Sequence, residues 1–398
     1  VLRWEPKELS GSRENAMLKY QPVYRQCSRI LFRHPQARHS STIDFSKLAA
    51  ALKERELPVI YDTLSPQPSY LLNQSLKDFL RDSPSFARAP AYKHVRLPPG
   101  HHLVYFPTPT TASQLLPDGT DTLHSPGPPF TQRLWAGGRV QFVDPDQLRL
   151  DSREAALVER IQDVRVTGEQ GSEKIFVGIE RRIGMCVQGQ PADMIRKRMM
   201  EEAPQEDSQY PVKNVGLIER RDLCFLRSDA SPLFQPGTPR KALKPPSDPT
   251  FVVSLTPTPA LLFRFSALTF NAHAIHIDPE YTRNVYGLPK PLVHGPLCLT
   301  IMLECLNQTI RGSKNPVIAE IAYRNFAPVF VGEELRVCFK MKTSDGEQSS
   351  LSRKQEWEVW IETGEGENAM LAVRGTASVT ARSPKVRNES NRLFSSSR

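Results

Sequence analysis

The sequence predicts an α+β protein made of two similar halves, and three observations carry that reading. Each half shows an apolar run at helical spacing followed by runs of strand character. Clusters of proline separate these runs. The 398 residues exceed one ordinary domain, for which roughly 100–200 residues is usual. The apolar share of 39% is sufficient for packed cores.

In the first half, Ile43 to Lys53 and Tyr70 to Leu80 carry helical periodicity, the second with Tyr70, Leu71, Leu72, Leu76, Phe79 and Leu80 on one face. Of the 35 prolines, ten fall between Pro84 and Pro129 and six between Pro232 and Pro249, so both zones read as loops or linkers. Within the first zone, Leu103 to Phe106 reads as a strand, and His101, His102 and His124 as exposed loop residues. Val158 to Thr167 and Lys174 to Arg182 flank Gly168-Glu-Gln-Gly171 and read as an antiparallel pair. Met199 to Gln209 reads as a solvated acidic loop, and Leu217 to Leu226 as another strand. In the second half, a helix from about Gly295 to Thr309 precedes strands near Val317 to Arg324, Glu334 to Met341, Trp357 to Ile361 and Ala369 to Val379. One helix followed by antiparallel strands, twice over, is a double hotdog, whose two sheets can join edge to edge and so protect their open edges.

The six cysteines form no C-x-x-C pair or zinc spacing. Scattered thiols suit a reducing compartment, with Cys298 and Cys305 packing as small apolar groups. No apolar run approaches the roughly 18 residues that span a bilayer. The formal charge of +9 is concentrated near the start: Met17 to His39 holds five basic residues and no acidic one. Elsewhere no long basic run with interleaved aromatics occurs, which argues against nucleic acid as a partner. Met17 to Thr42, basic and Ser-containing, has the composition of a mitochondrial presequence. The expected organisation is a presequence-like segment at 1–42, an N-terminal half at 43–230, a Pro-rich linker at 231–250, a C-terminal half at 251–381, and a polar tail at 382–398.

The chemistry concentrates in Phe263 to Asp278 and Val293-His-Gly-Pro296. Asn271, His273, His276 and Asp278 fall within eight residues, and Gly295 opens a helix whose N-terminus can hold a polarised carbonyl. His273 and His276 could begin a metal site, but no third ligand is spaced nearby, so neither a metal nor another cofactor is expected. Ser266 and Thr269 either bind substrate or cap the turn. His294 either fixes the helix entry or acts directly.

Ser266-Ala-Leu-Thr-Phe-Asn271 with Ile275-His-Ile-Asp278 and Val293-His-Gly-Pro296 resembles the MaoC-like, type 2 enoyl-thioester hydratase superfamily. The match is to the branch of fungal mitochondrial 3-hydroxyacyl-thioester dehydratases and mesaconyl-CoA hydratase-like proteins. Arg133-Leu-Trp-Ala-Gly-Gly-Arg139 with Gly216-Leu-Ile-Glu-Arg-Arg-Asp222 resembles the degenerate N-terminal hotdog of the same proteins. The resemblance implies reversible dehydration of (3R)-hydroxyacyl thioesters in mitochondrial type II fatty-acid synthesis, in the matrix. The substrate would be an acyl-ACP or acyl-CoA thioester, with acyl carrier protein as partner and either a monomer or a homodimer as the unit. It also implies His276 as the catalytic histidine and the Gly295 N–H as the thioester-oxygen donor. Asn271 replaces the usual aspartate. An amide can orient but not abstract, so either His276 performs both proton transfers, or His273 or Asp278 shares them, or activity is weak; the favoured expectation is an active enzyme with His276 central and Asn271 orienting. Two other readings stand beside this one. A hydratase of short or dicarboxylic enoyl-CoA would be marked by arginines lining the pocket, and a non-catalytic acyl-thioester-binding protein is suggested by Asn271. Arg133 or Arg139 is a candidate phosphate contact.

Overall fold

The apolar runs and their caps account for most of the elements. The structure, a computed structural model, describes residues 43–80, 95–187, 189–201, 215–229, 243–310, 316–342 and 354–381. The presequence-like segment and the polar tail lie outside the described residues. In the first half come α1 (Phe45–Lys53), β1 (Ile60–Thr63), α2 (Pro66–Leu76), β2 (Gln132–Gln141), β3 (Glu154–Thr167), β4 (Lys174–Met185), α3 (Ala192–Glu201) and β5 (Leu217–Leu226). The second half contains β6 (Phe251–Leu255), α4 (Pro259–Leu268), α5 (Ala274–Ile277), α6 (Pro279–Tyr286), α7 (Gly295–Ile310), β7 (Pro316–Asn325), β8 (Leu335–Met341), β9 (Lys354–Thr363) and β10 (Met370–Ala381).

Helix starts follow local chemistry. Asp44 accepts the Ser46 and Lys47 N–H groups at the head of α1, and Thr258 with Pro259 opens α4. A side-chain acceptor satisfies first-turn donors, and proline at the first helical position loses no hydrogen bond. Helix α7 is apolar nearly all round and buried along its length, as such a helix must be.

The strands form one ten-stranded sheet in the order β1-β3-β4-β5-β2-β7-β10-β9-β8-β6. The two halves meet where β2 pairs with β5 on one side and β7 on the other, both antiparallel. The paired glycines permit that junction: a Cβ on Gly137 would come within 2.5 Å of the Tyr323 carbonyl oxygen, and one on Gly138 within 2.1 Å of that of Arg220. A single core cluster includes Leu72 and Leu76 from α2, Leu297 to Leu306 from α7, and the inner faces of both sheet halves. Cys298 and Cys305 are part of this core.

Several expectations need correction. Leu103 to Phe106 is not a strand; His101–Val104 is a 3₁₀ turn. Pro98-Pro-Gly100 turns the chain onto α7, where a Cβ on Gly100 would be 3.2 Å from the Thr300 Cα, so the segment lies over a helix rather than beside a strand. His101, His102 and His124 are therefore buried, not exposed. Helix α2 begins four residues before Tyr70, and Leu71 points to solvent. Met199 to Glu201 belongs to α3, with Met199 buried against Ile195 and Ile218; the rest of the expected acidic loop lies outside the described residues. The strand β2 and the helices α4 and α6 were not anticipated from periodicity.

Candidate active site

Helix α4 presents Phe265, Ser266 and Thr269 to a cavity, then ends abruptly. The Thr269 hydroxyl donates back to the Phe265 carbonyl at 2.7 Å, Phe270 adopts φ +51°, and the Asn271 N–H donates to the Ser266 carbonyl at 2.8 Å. The Asn271 side-chain oxygen then accepts the His273 N–H at 3.0 Å, a side-chain-closed turn of the kind asparagine favours. The turn delivers His273 at the N-cap of the short helix α5 and His276 within it, with their rings 5.3 Å apart.

His276 is held from the other side by the segment leading into α7. Its Nδ1–H donates to the Leu292 carbonyl at 2.8 Å, and the Leu292 N–H returns a bond to Ile275 at 3.0 Å. The bond fixes the tautomer, leaving the Nε2 lone pair available. The ring stacks on His294 with centroids 3.7 Å apart. His294 is fully buried, with Nε2 2.8 Å from the Ser266 hydroxyl. Burial, opposed by the Leu292 bond and reinforced by Arg133, brings the His276 pKa down to about 4. Burial and neighbouring histidines also hold His273 and His294 well below the ordinary value. At neutral pH all three imidazoles are uncharged.

Gly295 begins α7 beneath Trp135. A Cβ there would lie 2.8 Å from the Trp135 side chain, so only glycine lets the indole cover the helix start. Trp135 is anchored by donating to the Tyr323 hydroxyl at 2.8 Å, with Arg221 over its ring. Pro296 has no N–H and that of Cys298 bonds His294, which leaves Gly295 and Leu297 as the first-turn donors.

These groups border a cavity of about 850 Å³ lined by both halves. His276, His273, Asn271, Ser266, Thr269 and Gly295 all line it. His294 sits behind it as support for the His276 ring. Asp278 stands apart, contrary to its expected share in catalysis. Its carboxylate accepts the Glu280 and Tyr281 N–H groups at 2.9 Å and caps α6. Among the described residues, no three His, Cys, Asp or Glu side chains converge as metal ligands.

The first half supplies charged groups, of which the sequence singles out Arg133 and Arg139 as candidate contacts. Arg133 lines the cavity paired with Asp121 at 3.1 Å. Arg181 lies between the buried carboxylates of Glu159 and Glu219, and Arg221 also pairs with Glu219. Arg139 pairs with Glu320 at 2.7 Å and is not part of the cavity lining. Pro117-Asp-Gly-Thr-Asp121 lay unremarked within the proline-rich zone read as loop; nothing in sequence spacing placed it against His273.

A two-half hotdog sheet with a neutral histidine beside a helix N-terminus defines a MaoC-like double-hotdog protein. The model of the family described as hydroxyacyl-thioester dehydratase type 2 matches residues 100–331, more than half of the chain, and the chain belongs to that family. It is thus a hydro-lyase in class. It is 29% identical over 285 residues to the mitochondrial hydroxyacyl-thioester dehydratase type 2 of Schizosaccharomyces pombe, covering 70% of this chain and 89% of the relative. It is also 29% identical over 236 residues to the mesaconyl-C(4)-CoA hydratase of Chloroflexus aurantiacus, covering 59% and 71%. The fold is shared with a MaoC-like dehydratase from Phytophthora capsici, with a TM-score of 0.51 at 14% identity over 84% of this chain and 99% of the other.

Proposed function

We propose that this chain is a (3R)-3-hydroxyacyl-thioester dehydratase, working reversibly on acyl-ACP or acyl-CoA, and that His276 carries the reaction. The observation that supports this most is the pairing of an uncharged His276, its Nε2 lone pair free, with the open donors at the start of α7. The thioester oxygen accepts the Gly295 N–H, which stabilises negative charge as it develops there. His276 Nε2 removes the C2 proton, and the C–H electron pair becomes the enolate and then the C2–C3 double bond. The C3–O bond breaks, and hydroxide leaves with the proton that His276 returns. Water is the product and the imidazole is neutral again. Asn271 orients, and the two halves, 43–230 and 251–381, act as one unit because the cavity draws on both.

Substrate class follows from charge. Arg133, Arg181 and Arg221 line the cavity, as a dicarboxylic acyl group would require, yet each is already tied to a carboxylate; Arg324, the other arginine of the lining, is exposed and lies over the Phe326 ring. A linear, uncharged acyl chain suits such a wall better than a second carboxylate. Relatives from two yeasts are named as mitochondrial, which supports a mitochondrial location. A matrix location with acyl carrier protein as the donor is the finer part of this proposal. The test is hydration of crotonyl-CoA, trans-2-decenoyl-CoA and mesaconyl-CoA, followed by loss of enoyl absorbance. Turnover of the linear substrates is expected to fall by about 10²–10⁴-fold in a stably folded His276→Ala variant. Turnover of mesaconyl-CoA alone would move the chain to the dicarboxylate branch.

A further inference from the structure

We propose that Asp118, from the Pro-rich excursion of the first half, is a positioning residue that supplies across the cavity the carboxylate absent at Asn271. It does so by fixing His273 as the Nε2–H tautomer, so that His273 Nδ1 accepts a hydrogen bond from the substrate hydroxyl or water. The role in turnover rests on the dehydratase reading; the tautomer does not.

The excursion is built onto the histidine segment. The Asp118 carbonyl accepts the Ala274 N–H at 2.8 Å. Gly119, at φ +81°, passes so close that a Cβ would be 2.0 Å from the Ala272 oxygen. Asp118 is buried, and its two oxygens differ. Oδ1 accepts the Thr120 N–H at 2.9 Å and the Thr120 hydroxyl at 2.7 Å. Oδ2 has no hydrogen-bond partner and faces His273 Nε2 at 3.5 Å. A buried carboxylate oxygen without a donor is costly, and an N–H on His273 Nε2 removes that cost with a shift of a few tenths of an ångström. The Tyr286 hydroxyl, 3.3 Å from the same nitrogen, accepts the Arg133 N–H at 3.2 Å and competes as a donor to an unprotonated Nε2. A charged carboxylate oxygen left without a donor outweighs that neutral bond.

With Nε2 protonated, Nδ1 is an acceptor in a residue that lines the cavity. The His273 and His276 rings stand 5.3 Å apart and nearly perpendicular, so one oxygen can be held by His273 while exchanging a proton with His276. A substrate hydroxyl that donates to His273 turns a lone pair toward His276, which is the orientation dehydration requires.

The experiment joins a spectroscopic and a kinetic readout on the full chain. Imidazole ¹⁵N shifts of histidine-labelled protein should show His273 protonated at Nε2 in the wild type and in Tyr286→Phe, and altered in the near-isosteric Asp118→Asn. On crotonyl-CoA, Asp118→Asn should lose on the order of 10²-fold in kcat with KM nearly unchanged and unfolding unaltered. The double variant Asp118→Asn/His273→Ala should be no slower than His273→Ala alone. A wild-type His273 protonated at Nδ1, a spectrum indifferent to Asp118→Asn, or additive kinetic losses would overturn the proposal. Wild-type protein inactive on every enoyl thioester would instead defeat the dehydratase reading, and the tautomer would still be decided by the spectra.

Discussion

The two halves of the sheet share an architecture and spend their polar groups differently. In the second half, His273, His276 and His294 sit on the short connections leading to α7, where His276 keeps one ring nitrogen open to the cavity. The strands of the first half bury Glu159, Arg181 and Glu219, with both glutamates bonded to the arginine. Burial pushes the Glu159 carboxyl up, but Arg181 and His124 outweigh it and hold it at about 2. Burial dominates at Glu219, and with Glu159 nearby its carboxyl is raised to about 7 in spite of Arg181. An open lone pair serves chemistry, whereas a saturated ion network shapes a wall. Duplication of a fold therefore leaves each half free to keep one of these tasks.

That contrast is most readily broken at Arg181. Replacing it with alanine removes the cation shared by two buried glutamates, leaving Glu159 with His124 and Glu219 with Arg221, and should cost about 3–5 kcal/mol of stability, read by denaturant unfolding. A loss below 1 kcal/mol would mean that the network is not structural. The second-half counterpart is a pH effect on rate. The depressed pKa of His276, about 4 against an ordinary 6.5, keeps the imidazole a base throughout the neutral range. Activity should hold as pH falls through 6.5 and drop about tenfold per unit only below about 4, measured as kcat/KM on crotonyl-CoA. The sign for stability is opposite in the window between. From pH 6.5 down to about 4 the unfolded chain takes up a proton that folded His276 refuses, so this group lowers stability as pH falls. The smallest effect belongs to Asp278. Asp278→Ala should cost about 1 kcal/mol through loss of the α6 cap and leave kcat within twofold. A large fall in kcat at unchanged stability would return Asp278 to the catalytic group.

Much of the fold was legible where a segment's partners are its own neighbours. Strand β5 spans the Leu217 to Leu226 run, α7 extends one residue beyond Thr309, and the β3–β4 hairpin closes on the glycines read as its turn. Leu103 to Phe106 misled because four apolar residues do not distinguish a strand from a turn pressed onto a helix. His101, His102 and His124 misled because a proline-rich stretch was equated with exposure, although this one packs on α7 and the sheet. In the site, Asn271, His273 and His276 were visible because they are close in sequence, and Gly295 because it opens an apolar helical run. Asp278 belonged to the same pattern but is spent on a helix cap.

By itself, the sequence determined an α+β double hotdog, the helix that begins at Gly295 and the histidine motif beside it. Those properties arise from hydrophobic period, capping and residues within one or two turns of each other. Only the tertiary structure decided that Trp135 covers Gly295, that Arg181 bridges two buried glutamates, and that Asp118 stands next to His273. Each of these joins residues far apart in the chain, where periodicity carries no information. Their energies depend on burial and on who faces whom, quantities that exist only once the sheet has closed around its helices.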